Sequence, residues 1–421
     1  KELVDPFPFL SLVDNPEIHR LTIEYYVKAL IRKKPLPLDP RPSRKPDKLR
    51  IGYFSADFKM HPVMYSILGI IEQHNKDAFE IYAYSLRGVK KNELVSRLVK
   101  AVDVFQDVED LSDIEIASLA RRDKIDIAID LGGCTEGTKP GIFACRAAPI
   151  QINYLGYPGT MGADFMDYII VDRNLISPDD KIFYTEKPIY MPDAYHPMVN
   201  TISIAKDTPK RADLGLPENA FVFCAINNTY KISPAEFDVW MRILQRVDGS
   251  VLWLIESNKW VKSNLIKEAE ARGVCSNRLV FQQRMVTNVS SQSAYLAHFR
   301  QADLYLDTFK YSAGSTASNA LFAGLPLLTI LGRSYVSRMA GSFLKALDLH
   351  EMIAENEKEY EELAVELAIN SKRRMAIKQR LDANLLTSRH CDSQMFTRDL
   401  ELAYQKAYQL YFDGKKPVID T

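Results

Sequence analysis

Phe223-Cys224-Ala225-Ile226-Asn227-Asn228-Thr229-Tyr230-Lys231-Ile232-Ser233-Pro234-Ala235-Glu236 reads as a buried strand, a turn and the start of a helix. The run through Ile226 is apolar and favours a strand. Ser233 then stands as an N-cap, Pro234 fills the first helical position, and Glu236 completes a capping box. The turn between them carries Lys231 at the C-terminal edge of a strand. There a long, flexible ammonium reaches a phosphate held at a helix N-terminus, and the same place equally suits a solvated loop lysine.

The alternation continues in both directions. Downstream, strands are expected at 251–255, 279–282, 304–306 and 327–330, with helices at 234–247, 264–272 and 316–322. Upstream, an equivalent series places strands at 49–55, 79–85, 125–131, 150–154 and 168–171, with helices at 63–73 and 114–121. Strands interleaved with helices build parallel sheets, so the chain is read as α/β with two consecutive Rossmann-like domains. Residues 1–34 look helical through Ile18, Leu21, Tyr25, Tyr26, Val27 and Leu30. Pro35, Pro37, Pro40, Pro42 and Pro46 then make a stiff extended linker. A looser stretch at 190–210 contains Pro192, Pro197 and Pro209, and long helices at 357–386 and 394–411 close the chain. The expected organisation is N-terminal helices and linker at 1–47, a first domain at 48–207, a second at 208–386 and a C-terminal helix at 387–421. Ligands bind open α/β sheets beyond the strand C-termini, so a cleft between the two domains is the expected site. Dehydrogenases, small-molecule kinases and glycosyltransferases share this architecture, and the residues must choose among them.

Bulk properties narrow the choice. A 421-residue chain exceeds one hydrophobic core, and its 47% apolar and 26% charged content is that of a globular protein. Lys+Arg and Asp+Glu both number 54, giving no net charge and no global footprint for nucleic acid or an anionic membrane. The five cysteines are scattered, with no C-x-x-C pair, which points to a reducing compartment rather than a disulfide or zinc scaffold. The start, Lys1-Glu2-Leu3-Val4-Asp5-Pro6, lacks a signal pattern, and apolar stretches such as 320–331 are too short to span a bilayer. A cytoplasmic location is expected.

Four further segments carry chemistry. Tyr311-Ser312-Ala313-Gly314-Ser315-Thr316 follows a strand and opens a helix; its N–H and hydroxyl donors suit a pyrophosphate, or simply a well-capped helix. Ser55-Ala56-Asp57-Phe58-Lys59-Met60-His61-Pro62 puts His61 at a helix start, as a base, a polar contact to substrate or a structural histidine. Asp130-Leu131-Gly132-Gly133-Cys134-Thr135 and Tyr154-Leu155-Gly156-Tyr157-Pro158-Gly159-Thr160 are glycine-bearing turns after strands. Such turns admit a ligand close to the backbone or serve only as tight turns. There is no dinucleotide glycine fingerprint after Ser55, no Walker A loop and no cluster with metal spacing.

At these residues the sequence resembles the catalytic region of the O-linked N-acetylglucosamine transferase family, which includes the plant SPINDLY proteins and bacterial homologues. The matching blocks run from Arg50-Ile51-Gly52-Tyr53-Phe54-Ser55-Ala56-Asp57-Phe58 with His61-Pro62, through Ala148-Pro149-Ile150-Gln151 and Leu155-Gly156-Tyr157-Pro158-Gly159-Thr160. They continue in Tyr230-Lys231-Ile232, Val251-Leu252-Trp253-Leu254, Leu306-Asp307-Thr308 and Ala323-Gly324-Leu325-Pro326. The resemblance implies a GT-B fold and a metal-independent, inverting transfer, with UDP-GlcNAc as donor and protein Ser or Thr as acceptor. No cofactor is implied beyond the nucleotide sugar as co-substrate, and no nucleic acid or membrane partner. Asp5-Pro6-Phe7 and the helices after it are similar to the linker that follows a tetratricopeptide array, so the chain reads either as a fragment with a missing N-terminal tetratricopeptide array or as a naturally short member.

By the same resemblance Lys231 meets the leaving diphosphate and His61 occupies the position long discussed as a base. Asn228, Tyr295, His298, Gly314, Ser315, Thr316 and Asn319 form the nucleotide-sugar set. Thr135, Gly156, Tyr157, Pro158, Gly159 and Tyr311 form the sugar and acceptor pocket. The chain departs from the family at the nucleoside side: Gly314 replaces a usual His, Asn319 a usual Asp, Tyr295 a His and Gln292 a Lys. These departures keep three alternatives open, namely another nucleotide sugar, an Asn acceptor or a non-catalytic scaffold.

Overall fold

The computed structural model describes residues 3, 5–31, 36–37, 40, 44–198, 202–283 and 292–415. Much of the expected proline linker, including Pro35 and Pro42, lies outside the described residues. The chain forms two compact units, Lys1–Pro197 together with Asp392–Thr421, and Met198–Cys391.

The first unit holds seven parallel strands: β1 (Leu49–Ser55), β2 (Phe79–Ser85), β3 (Val104–Asp107), β4 (Ile127–Asp130), β5 (Ile150–Asn153), β6 (Tyr168–Val171) and β7 (Lys187–Tyr190). Their order is β3-β2-β1-β4-β5-β6-β7. Central strands such as Ile51, Tyr53, Ile127, Ile129 and Ile152 are fully buried, as a sheet covered on both faces requires. The opening helical region is two helices, Pro6–Phe9 and Pro16–Leu30, because Asn15 caps the second with its side chain. The last helix, Ser393–Phe412, is built into this unit rather than standing apart. Its Phe396, Leu400 and Tyr404 join the core of β1 and the helix Pro62–Gln73. His74 bridges the two, bonded to Glu401 at 2.9 Å and to the Tyr53 hydroxyl at 2.8 Å.

The second unit holds six parallel strands: β8 (Val222–Ala225), β9 (Val251–Glu256), β10 (Leu279–Gln283), β11 (Leu304–Leu306), β12 (Leu327–Ile330) and β13 (Ile353–Ala354). Their order is β10-β9-β8-β11-β12-β13. The expected long helix at 357–386 is two, Glu357–Ile369 and Ser371–Thr387, because the Asn370 side chain accepts the Arg373 N–H and starts a new helix. Among the described residues no helix is long and apolar enough to cross a membrane.

Both sheets reverse direction at one place. In the first the chain steps outward from β1 to β3 and returns beside β1 as β4; in the second it does the same from β8 to β10 and returns as β11. Ligand sites of open α/β sheets lie at the strand C-termini beside such a reversal. The segments after β1, β4, β8 and β11 are those that hold His61, Thr135, Lys231 and Ser315.

Candidate active site

In the second unit β8 ends at Ala225, and the buried side chain of Asn227 follows. Residues Thr229–Lys231 wind into one 3₁₀ turn, with the Lys231 N–H donating to the Asn228 carbonyl at 3.0 Å. The capping box read from the sequence is present: the Ser233 N–H donates to Glu236 Oε1 at 2.7 Å, and the Ser233 hydroxyl bonds the same carboxylate. This fixes the exit of the turn and therefore the root of Lys231.

The Lys231 side chain is half-buried and its ammonium has two close partners. Nζ donates to the Ser312 carbonyl at 3.1 Å and stands 3.8 Å from the centroid of the Tyr311 ring. Burial holds its pKa well below the usual lysine value, opposed by the charge of Asp307. Asp307, at the end of β11, is fully buried, and burial raises its pKa.

Asp307 is also the pin of the following loop. Its Oδ1 accepts the N–H groups of Thr308 at 2.9 Å and Ala313 at 2.8 Å, and its Oδ2 accepts the Thr329 hydroxyl at 2.7 Å. The Thr308 hydroxyl donates to the Tyr311 carbonyl at 2.6 Å, and the Ser312 hydroxyl to the Val336 carbonyl at 2.8 Å. A loop bonded at both ends in this way presents Tyr311 and Ser312 rigidly.

The same loop runs into the helix Ser315–Phe322, with Gly314 as N-cap and Ser315 and Thr316, both half-buried, as its first two residues. The first N–H groups of a helix have no intrahelical partner and carry its positive dipole end, which suits an anion. A Cβ at Gly314 would lie 3.3 Å from the Met339 sulfur, so a methionine side chain packs beside the glycine. Asn319, one turn on, accepts a hydrogen bond at 3.3 Å from the Gln292 side-chain amide. Tyr295 lies on the same helix as Gln292, edge-on to Phe299 at 5.2 Å, and His298 Nδ1 pairs with the Ala294 carbonyl at 2.7 Å. Asn228 is exposed beside the lysine turn, while its neighbour Asn227 reaches Thr308 Oγ1 at 3.1 Å. Lys231, Tyr311 and the Ser315 helix start are thus brought together by β8 and β11, and Asn319 is linked to the helix of Gln292 and Tyr295.

In the first unit His61 caps the helix Pro62–Gln73: the Val63 N–H donates to its Nδ1 at 3.3 Å. Asp57 Oδ2 lies 3.5 Å from the same nitrogen, and Lys59 bonds the other Asp57 oxygen at 3.0 Å. Burial lowers the His61 pKa in spite of Asp57. With Nδ1 accepting from Val63, a neutral ring carries its proton on Nε2 and offers a donor there.

The glycine turns have a structural use. A Cβ at Gly156 would meet the Leu131 carbonyl oxygen at 2.2 Å and Gly132 Cα at 2.7 Å, and one at Gly133 would meet Tyr157 Cβ at 2.5 Å. The loops after β4 and β5 therefore pack backbone against backbone. Asp130 holds one of them, accepting the Gly132 and Gly133 N–H groups at 2.9 Å, and the Thr135 hydroxyl donates back to the Gly132 carbonyl at 3.0 Å. The other is held by buried Glu186, which accepts the Met161 N–H at 2.6 Å and the Thr160 hydroxyl, while Asn153 donates to the Gly159 carbonyl at 3.0 Å. Tyr157 is buried, with the Phe7 ring 6.3 Å away, and Pro158 is buried beside it. Sequence reading named neither Asp307 in this supporting role nor Asn227 or Glu186. Asp307 sat in a recognised block, and an acid ending a buried strand was the available signal.

Among the described residues no three His, Cys, Asp or Glu side chains are arranged to hold a metal ion.

The family model for glycosyl transferase family 41 matches residues 20–203 and 198–400. The chain belongs to glycosyl transferase family 41. This family 41 chain is 34% identical over 378 residues to a protein of Arabidopsis thaliana named a probable UDP-N-acetylglucosamine–peptide N-acetylglucosaminyltransferase SEC, covering 88% of this chain and 38% of that protein. It is 30% identical over 383 residues to a SPINDLY protein of Petunia hybrida given the same probable activity, covering 89% and 40%. It spans about two fifths of the length of these plant relatives. A solved O-GlcNAc transferase of Thermobaculum terrenum, in mutant form, superposes with a TM-score of 0.83 at 28% identity, covering 96% of this chain and 76% of that one. The resemblance read from the motifs, and the GT-B type of the two parallel-sheet units, are thereby established.

Proposed function

We propose that this family 41 chain carries the catalytic region of a metal-independent, inverting glycosyltransferase that moves GlcNAc from UDP-GlcNAc to Ser or Thr of a protein. The observation that carries the reading is Lys231, held at the β8 edge against Tyr311 and Ser312, the loop that runs into the N-terminus of the Ser315 helix. The printed activities of the plant relatives support the donor and the acceptor class.

In this reading the acceptor hydroxyl oxygen bonds to the anomeric carbon as the bond from that carbon to the diphosphate oxygen breaks. The bonding pair leaves with the diphosphate, and the hydroxyl proton is released. Charge then grows on the diphosphate, where Lys231 and the N–H groups of Ser315 and Thr316 offset it, a preorganised electrostatic role. His61, neutral with a donor at Nε2, serves as a polar contact on the acceptor side.

A second reading, in which the donor is another nucleotide sugar, is favoured by the Gln292–Asn319 amide pair on the nucleoside side. The test is a panel of nucleotide sugars read by mass shift on candidate proteins, with calorimetric titration of the matching nucleoside diphosphates. Lys231→Met is expected to lower transfer at least a hundredfold while the fold is kept. Transfer unchanged by Lys231→Met would remove the assigned role, and no heat with any nucleoside diphosphate would make the chain a non-catalytic member.

A further inference from the structure

The ammonium of Lys231 is held on a surface that a charge-stabilising role does not by itself require. Three groups face it. Asp307 lies beneath the loop as the charge that bears on it, the Ser312 carbonyl accepts from it at 3.1 Å, and the Tyr311 ring stands face-on at 3.8 Å. Glu236, the first acid in the sequence of the following helix, is bonded to Ser233. Tyr311 is itself immobilised. It is 4% exposed, its carbonyl is held by Thr308, the next residue is bonded to Val336, and Tyr230 packs edge-on against it at 6.2 Å and 69°.

We propose that Tyr311 is a positioning residue for Lys231: its ring face, with the Ser312 carbonyl, fixes where the ammonium stands and favours its protonated form before a diphosphate arrives. The inference rests on the role given above to Lys231 and deepens it. The physical argument is a balance. Burial removes water from the ammonium and favours the neutral amine. The negative face of an aromatic ring favours the cation, most strongly where water is excluded. An aliphatic side chain in the same place would keep the burial and lose the compensation. Lys231 would then arrive at the diphosphate uncharged more often and less well placed. The resemblance puts Tyr311 in the sugar and acceptor pocket, and the geometry sets its ring against the lysine.

The experiment compares Tyr311→Phe, Tyr311→Leu and Tyr311→Met in the whole chain. The pH dependence of Lys231 acetylation by trace acetic anhydride, read by mass spectrometry, reports the lysine directly and needs no nucleotide. Tyr311→Phe is expected to leave the midpoint within a few tenths of a pH unit. Tyr311→Leu and Tyr311→Met are expected to lower it by about one unit, the scale of a desolvated cation–π contact. In parallel, the basic limb of the pH profile for UDP binding shifts by the same amount in the two aliphatic variants, whereas a merely structural role lowers affinity equally at every pH. Melting followed by tryptophan fluorescence identifies folded variants, and either aliphatic variant suffices. Midpoints unchanged in the aliphatic variants, or raised because only burial was relieved, would overturn the proposal. Should the acetylation midpoint move as expected while UDP and other nucleoside diphosphates do not bind, the positioning stands and the assignment of Lys231 to a diphosphate falls.

Discussion

Asp307→Ala and Asp307→Asn should separate sharply, because the carboxylate acts as a hydrogen-bond hub more than as a charge. Its Oδ1 accepts two backbone N–H groups, from Thr308 and Ala313, and its Oδ2 accepts the Thr329 hydroxyl. Alanine leaves both N–H groups buried without an acceptor, at about 1–3 kcal/mol each, while the Thr329 hydroxyl falls back on the Ile330 carbonyl at 3.4 Å. The expected loss is about 4 kcal/mol, a large share of a domain's stability. At about 2–4 °C per kcal/mol for a unit of this size, Tm drops by about 8–16 °C. Asparagine keeps an oxygen for the two N–H groups, and Thr329 can rotate to accept from the new amide. Burial already raises the pKa of this carboxyl, so losing the charge costs little, about 1 kcal/mol or 2–4 °C. The assay is intrinsic fluorescence. The three tryptophans of the chain, Trp240, Trp253 and Trp260, all belong to the second unit, and the first two are fully buried, so emission reports that unit alone. Equal destabilisation by the two substitutions would refute the hub argument, and so would a harmless Asp307→Ala.

The other predictions concern the first unit. Gly156→Ala drives a methyl group into the Leu131 carbonyl and Gly132 Cα, where backbone cannot yield cheaply, so a loss of about 3 kcal/mol is expected in urea denaturation followed by circular dichroism. His196 is buried beside the Ser66 hydroxyl, and burial pushes its pKa down to about 4, below the 6.5 of the unfolded chain. The unfolded state therefore binds more protons between these values: stability is full above pH 6.5 and falls by about 3 kcal/mol as pH drops to 4. Urea midpoints measured across that range should slope accordingly in the wild type and flatten in His196→Gln; parallel slopes would contradict the assignment.

The features legible in the sequence were those whose signal is local. Ser233, Pro234 and Glu236 announce a helix start whatever surrounds them, and they fixed the turn of Lys231 correctly. Long apolar strands such as 49–55 and 79–85 announced the sheet. What escaped was decided by tertiary context. Val104–Asp107 is a half-exposed edge strand carrying Gln106 and Asp107, and Lys187–Tyr190 contains Pro188, so neither shows an apolar run. Asn370 looks like one more polar residue within a helical stretch until its side chain is seen to cap a new helix. Asn227 and Asn228 are neighbours of the same type, and only the fold shows one buried and bonded to Thr308 and the other exposed. Gly156 reads in the sequence as a turn that admits a ligand or serves only as a tight turn, and the neighbouring loop that fills the space of its missing Cβ is not visible there. The supporting acids Asp307 and Glu186 work through partners far along the chain, which periodicity does not pair.

The nucleoside side shows the same limit from the other direction. In the sequence, Gln292 in place of a usual Lys and Asn319 in place of a usual Asp are two separate departures, each of which reads as a lost contact. In the fold they are one hydrogen bond, amide to amide, between the helix Gln292–His298 and the helix Ser315–Phe322. The amide pair keeps the two helices joined and, in the proposed reading, offers a nucleoside a neutral amide with donors and acceptors where a carboxylate is usual. In that reading, a matched pair of amides fits a working site better than a decayed one, and the donor is decided at these contacts, apart from the diphosphate role proposed for Lys231.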